Sequence, residues 1–347
     1  MSHIAAAELS FPVPVPPELG RPIEVAPGIM WLRLALPFAL NHVNIYLIED
    51  GDGWAVLDTG INDARSRAWW EAVLDGPLRD RRPTRLIATH FHPDHVGLAG
   101  WLVERCQIEL VMSRTEYLVT QFHRRWAEPA EIESHRAFYV ACGLDEASIG
   151  ALMERDIGYR WLTTDVPPAY RRIAAGDVLT IGGRRFEVLT GGGHSPEQAM
   201  LLCRDENLFL AADQVLAKIS PNISVWPHEP DSDPLGDYLR SLAELSAAVP
   251  EGAFVLPAHN LPFHGLHARI AELTRHHDQR CRDILDACAT VPLRPAEIVP
   301  LLFPRKLDAH QTSFAFGEAL AHVNYMLRRG SMLAEAGEDR VRRVRPA

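Results

Sequence analysis

The chain has 347 residues, 47% of them hydrophobic and 23% charged, with a formal net charge of −10. That composition suits a globular protein with one large domain, or a large one and a small one, and the acidic balance speaks against nucleic acid held by bulk electrostatics. Five scattered cysteines with no Cys-x-x-Cys pair speak against a disulfide framework and lead us to expect a reducing, cytoplasmic setting.

From the N-terminus, the run Phe11-Pro12-Val13-Pro14-Val15-Pro16-Pro17 does not read as a signal helix. Nowhere do about eighteen apolar residues follow one another, so no membrane span is expected. Ile29 to Leu34, Val43 to Ile48 and Trp54 to Leu57 read as a β-meander, broken by the turn signal Glu49-Asp50-Gly51-Asp52-Gly53. Asn62 to Leu74 has helical spacing, Leu86 to Ala88 is a strand, Gly97 to Arg105 a helix, and Glu109 to Met112 a short buried strand. Residues 114–160 carry charges and aromatics at helical spacing, with breaks at Pro129 and Gly143, and are expected to be a helical insertion. Strand patterns return at Asp177 to Ile181, Arg185 to Thr190, Ala199 to Cys203, Leu208 to Ala212 and Phe254 to Leu256, with a helix over Asp237 to Val249. A long amphipathic helix, His267 to Ala289, is expected to run away from this body, followed past Pro292 and Pro295 by helices near Pro295 to Leu302 and Ser313 to Arg328 and a tail able to form a hairpin. Strand-rich blocks alternating with helices favour layered α/β packing.

The densest chemistry lies in Thr89-His90-Phe91-His92-Pro93-Asp94-His95-Val96-Gly97, directly after the strand at Leu86. Imidazole and carboxylate together suit Zn²⁺ or a similar ion, and four donors this close do not all fit one tetrahedral ion, so the spacing suggests two neighbouring metals. Gly191-Gly192-Gly193-His194, Asp213 and His259 each follow an apolar strand too. Loops at strand ends of a layered sheet are where a scaffold brings distant residues together.

THFHPDHVG, GGGHSPE, the Asp of FLAADQV and the His of VLPAHN resemble the ligand series of the metallo-β-lactamase-fold hydrolases, in the same order and at similar intervals. The resemblance implies an αββα sandwich over residues 1–265, with His90, His92 and His194 holding one zinc, Asp94, His95 and His259 the other, and Asp213 bridging the two. Because of that aspartate the pattern is more similar to glyoxalase II and its relatives than to true β-lactamases. Asp58, in LDTG, corresponds to a buried aspartate beside the ligands in this superfamily. Two zinc ions imply a bridging hydroxide that attacks an acyl carbonyl, with Asp94 orienting it. FAFGEALAHVNYMLRRGSM resembles the winged-helix tail of the LACTB-like branch, which divides the rest into a connecting helix, 266–290, and a winged-helix-like module, 291–347.

A zinc-dependent hydrolase of an ester-type bond is therefore expected, a thioester first, acting on a small-molecule acyl substrate, with a homodimer possible. A thiolate whose conjugate acid has a pKa of about 8.5 departs without a proton donor. The alternatives are a metal-dependent ribonuclease, in which the tail holds RNA, and a lactone or β-lactam hydrolase. His264, His267, His276 and His277 read as surface or capping groups, His310 and His322 as residues of the tail module within reach of the cleft, with helix packing the preferred role for His322, and Ser195 as no nucleophile, since every nearby histidine is claimed by metal. The aromatics Trp126, Phe138, Tyr139 and Tyr159 read either as a lid or as helical core. Arg124, Arg125, Arg171 and Arg172 offer charge for an anionic substrate such as an acyl-CoA, and Arg340, Arg342, Arg343 and Arg345 read as a solvated tail.

Overall fold

A computed structural model describes residues 9–125, 129–339 and 341–347. Its first sheet is built in chain order from β1 (Ile23–Ala26), β2 (Ile29–Ala35), β3 (His42–Asp50), β4 (Gly53–Leu57), β5 (Pro83–Ile87), β6 (Glu109–Ser113) and β7 (Arg171–Ile173). The first four strands form the expected meander and β4 to β7 are parallel. Parallel neighbours require crossovers. These are α1 (Ala64–Asp75), the pair α2 (Pro93–Val96) and α3 (Ala99–Cys106), and the insertion α4 (Arg114–Arg125), α5 (Pro129–Ala141) and α6 (Glu146–Gly158).

The second sheet contains β8 (Val178–Ile181), β9 (Arg184–Gly191), β10 (Gln198–Cys203), β11 (Leu208–Ala212) and β12 (Phe254–Pro257), and α7 (Pro234–Ala248) makes the parallel crossover between the last two. Strand periodicity assigns each side chain to a layer. In β10, Ala199, Leu201 and Cys203 face the first sheet across a core shared with Trp31, Tyr46 and Ile87, while Met200 and Leu202 face the outer helices with Tyr238 and Leu242. In β3, Tyr46 and Ile48 point inward and Val43, Ile45 and Leu47 outward, against Trp70 and Leu102 of α1 and α3. The molecule is thus an αββα sandwich, the fold class the sequence implies. Side chains and backbone also stitch the sheets together: Asn44 Nδ2 and Tyr46 Oη both donate to the Pro257 carbonyl, each at 2.9 Å, and Ala199 N donates to Thr89 O at 2.9 Å.

The remaining elements are α8 (Leu266–Cys288), α9 (Pro295–Leu302), α10 (Ala309–Arg328) and an antiparallel hairpin, β13 (Met332–Ala336) with β14 (Arg342–Pro346). The expectation that α8 leaves the body is corrected. Leu266, Ile270 and Leu273 keep the same helix face pressed on the outer core with Tyr238, and the C-terminal end of the helix, with Ile284 and Cys288, passes into the C-terminal cluster with Ile298, Val323 and Val344. Two short edge strands, β1 and β7, were not expected: one follows the proline-rich start and the other opens on two arginines. The turn α2 forms inside the histidine cluster itself, with Pro93 supplying the fixed φ that suits a first helical position. No helix among the described residues is long and apolar enough to cross a membrane.

Where α8 meets α10, two fully buried histidines touch. His277 Nδ1 lies 3.2 Å from His322 Nε2, His322 Nδ1 donates to Glu318 O at 2.8 Å, and Ser220 Oγ lies 3.3 Å from His277 Nε2. Burial above all pushes the two rings down to about 2 and about 3, so both are neutral in the fold and bind a proton on unfolding. A depressed histidine stabilises the fold above its unfolded value and loses that contribution as the pH falls. We expect the urea midpoint of the full chain to drop as the pH is lowered from about 7 to 5, and the double substitution His277→Leu, His322→Leu to flatten that limb; an equally steep limb in the double variant overturns the assignment.

Candidate metal centre

All the chemistry-bearing loops leave the sheets at neighbouring strand ends. Asp58 follows β4, His90, His92, Asp94 and His95 follow β5, His194 follows β9, Asp213 follows β11 and His259 follows β12. Three non-glycine residues there have left-handed backbone: Asp58 (φ 66), Ala212 (φ 46) and Asn260 (φ 67). Such conformations persist only where the surroundings over-determine them, and they cluster at functional sites. Gly193 has φ +100, and a Cβ there would meet Tyr238 Cβ at 2.4 Å and Pro234 O at 2.5 Å, so the residue before His194 has to be glycine.

The structure brings together all seven residues singled out as ligands. His92 Nδ1 lies 2.9 Å from His194 Nε2, which lies 3.2 Å from His90 Nε2. On the other side His259 Nε2 is 3.3 Å from both Asp94 Oδ2 and Asp213 Oδ1, and His95 Nε2 is 3.6 Å from the same two oxygens. The second oxygen of Asp213 stands 3.2 Å from His194 Nε2. Asp213 therefore touches both groups, and the sets His90, His92, His194 and Asp94, His95, His259 each place their donor atoms within 4.8 Å of one another.

Outer partners decide which ring nitrogen faces the centre. Asp58 accepts from Thr89 N at 2.8 Å and Thr89 Oγ1 at 2.9 Å, and it takes the Nδ1 side of His95 at 2.8 Å. With its proton given to Asp58, the Thr89 hydroxyl accepts from His90 Nδ1 at 2.9 Å. His194 Nδ1 donates to Asn222 O at 2.8 Å and His259 Nδ1 to His42 O at 2.7 Å. That leaves Nε2 of His90, His95, His194 and His259 turned inward, whereas His92 turns in Nδ1.

The donor set fits divalent cations. His95 Nε2 and Asp213 Oδ1 are buried without a hydrogen-bond partner, and an orphaned pair of this kind aimed at a common centre calls for a cation. Burial and the neighbouring imidazoles hold His90 and His92 well below the usual range, in the neutral form that ligates. Burial alone would also depress His259, but Asp213 and Asp94 overcome it and push the ring up to about 10.

Several residues of the centre had no signal in the sequence. His42 acts through its backbone, and its ring Nε2 accepts from Asn260 N at 2.9 Å, bracing the left-handed residue after His259. Glu116 of α4 is fully buried, accepts from Phe91 N, Ser195 Oγ and Glu197 N, and is pushed up to about 7 by burial against the pull of those donors. Ser195 is thus committed to a carboxylate that belongs to no catalytic triad.

Beside the centre opens a cavity of about 780 Å³ whose lining includes His92, Asp94, His194, Asp213 and His259. Phe91, Tyr159 and Trp226 form its inner wall, and Phe303, Leu307 and Phe314 from the C-terminal segment form another. The insertion divides its aromatics: Tyr139 is core against Phe316, Phe138 packs on the same core, Tyr159 lines the cavity, and Trp126 lies outside the described residues. Arg124 is taken up by Asp165 and by the carbonyls of Arg160 and Thr163. Arg171 faces Glu109 at 3.5 Å. In the tail Arg343 pairs with Asp339 and Arg345 with Glu335, while Arg340 lies outside the described residues. His264 and His267 bond to backbone carbonyls away from the centre, whereas His277 is no surface or capping group but lies fully buried against His322 at the helix joint.

Asn tolerates the left-handed backbone of residue 58 as well as Asp does, so Asp58→Asn removes the charge and one acceptor without new strain. We expect a folded protein that binds its metal about 10- to 100-fold more weakly, measured by competition with a chromophoric chelator; undiminished affinity would show that Asp58 does not hold His95.

Residues 39–259 match the family model described as the metallo-beta-lactamase superfamily, and residues 281–347 match the one described as metallo-beta-lactamase-like, C-terminal domain. A crystal structure of a beta-lactamase domain protein from Burkholderia ambifaria is 39% identical, with a TM-score of 0.91 and 98% of each chain covered. A metallo-beta-lactamase family protein from Thermus thermophilus is 28% identical, with a TM-score of 0.78 over 93% of this chain and 100% of that one. The acyl-coenzyme A thioesterase MBLAC2 of Gallus gallus is 25% identical over 247 residues, 67% of this chain and 77% of that protein.

Proposed function

Because this chain belongs to the metallo-beta-lactamase superfamily, we propose that it is a hydrolase of apolar acyl thioesters that works with two zinc ions. The observation that carries the reading is the cavity: one side holds His92, Asp94, His194, Asp213 and His259, and the walls include the apolar Phe91, Tyr159, Trp226, Phe303, Leu307 and Phe314, with Glu154, Arg305 and Glu318 also on the lining. An apolar acyl group gains by leaving water for such walls, at about 25 cal/mol per Å² of apolar surface. The likeness to MBLAC2, named an acyl-coenzyme A thioesterase, supports the same substrate class.

His90, His92 and His194 would hold one ion, Asp94, His95 and His259 the other, with Asp213 shared. When bound there, the ions supply what the side chains lack, polarisation of an acyl carbonyl and a lowered pKa for water. The chain does the rest by placement. Asp94 is the ligand-set carboxylate most open to the cavity, with 20% of its side chain exposed. Burial would raise it, but His95 and His259 hold it well below the usual carboxylate range, so it remains an ionised acceptor able to orient water. Tyr159, its hydroxyl donated to Phe91 O at 2.5 Å and raised by burial, stays neutral and gives up no proton. A thiolate departs without one, which favours a thioester over an amide.

Zinc-loaded protein should carry two equivalents by elemental analysis and release thiol from octanoyl thioesters faster than from acetyl ones. Asp94→Ala should lower kcat by about 10²- to 10⁴-fold while the fold persists. A loaded protein inert towards thioesters, lactones and β-lactams alike would overturn the proposal, and a preference for a lactone or β-lactam would keep the centre and replace the substrate.

A further inference from the structure

Phe91, the residue between His90 and His92, has both its peptide groups tied to the helical insertion. Its N–H donates to Glu116 Oε2 at 2.9 Å, and its carbonyl accepts from Tyr159 Oη at 2.5 Å. The other oxygen of Glu116 reaches the loop of the second sheet, where it accepts from Ser195 Oγ at 2.8 Å and Glu197 N at 2.6 Å. The grip is returned: Glu197 Oε2 accepts from Thr115 N at 2.9 Å, and the Glu197 carbonyl accepts from Ser113 Oγ at 2.9 Å. One buried carboxylate thus joins the residue beside His92 to the residue beside His194, whose ring nitrogens stand 2.9 Å apart.

Three donors reach the Glu116 carboxyl at 2.6 to 2.9 Å, and removing a buried acceptor leaves its donors unsatisfied. The two loops belong to different sheets, so their separation is not fixed by a shared strand ladder. We propose that Glu116 is a positioning residue of the metal centre, setting the spacing of His92 and His194 and with it the affinity of the His90, His92, His194 set for its ion. This rests on the reading of those histidines as ligands. A purely structural Glu116, gluing the insertion to the body, would cost stability when replaced but leave the affinity of folded molecules unchanged.

The test is a zinc titration of the full, chelator-stripped chain against a chromophoric competitor, with the cobalt d–d spectrum as a second readout. In E116Q an amide NH₂ faces at least one of the three donors and opens one side of the clasp. One equivalent should weaken by about 10- to 100-fold with an altered cobalt spectrum, and the other should hold. E197Q removes a nearby charge but keeps the side-chain oxygen that Thr115 N needs, and should bind both equivalents as the unaltered chain does. Unchanged affinities in E116Q overturn the inference, as does an equal loss in both variants, which would mark a charge effect. If E116Q does not fold, S195A removes a single donor and should weaken the same equivalent several-fold; full affinity there overturns the inference too. An unaltered chain that binds no metal overturns the ligand reading and this inference together, whereas normal binding in that chain and in E116Q overturns this one alone.

Discussion

The inward ring nitrogens of His90, His92 and His194 converge to 2.9 and 3.2 Å, and the rest of the structure is arranged around that convergence. Beside them Asp94 and Asp213 crowd two carboxylates against the neighbouring His259. The free energy to hold this arrangement comes from the sandwich, whose cross-sheet bonds to the Pro257 carbonyl and from Ala199 to Thr89 clamp the two sheets near the strand ends that carry the donors. Divalent cations would turn the same crowding from a cost into a set of bonds.

The strain is distributed through the second ring of contacts. Asp58, Thr89, Asn222 and the His42 carbonyl each take one face of a ring, so rotation of any of these imidazoles breaks a bond on its outer side. Left-handed backbone at Asp58, Ala212 and Asn260 lets three chains turn sharply off their strands, and the tight contact at Gly193 does the same for the fourth. Precision at the centre is thus inherited from backbone turns rather than from the ligands' own flexibility.

Much of this was legible in the sequence, and the reason is local. His90, His92, Asp94 and His95 fall in one run, and His194, Asp213 and His259 each sit a few residues past an apolar strand, so the strand periodicity that sets the layers also delivers the ligands. The layers followed from runs such as β3 and β10, buried on both faces. What escaped has no neighbourhood signature. His42 braces Asn260 from 218 residues away, and Glu116 looks like an ordinary charge at the start of a helix until the fold encloses it. The course of α8 was misjudged because an amphipathic face does not say how many partners it serves in turn: Leu273 belongs to one core and Ile284 to another.

One wall of the cavity, Phe303, Leu307 and Phe314, comes from a stretch that supplies none of the residues around the metal centre. The segment joining α9 to the start of α10 thus adds apolar surface to a cavity whose inner wall, through Phe91, is part of the metal-bearing loop itself. Drift in that segment reshapes what fits without disturbing a single donor atom.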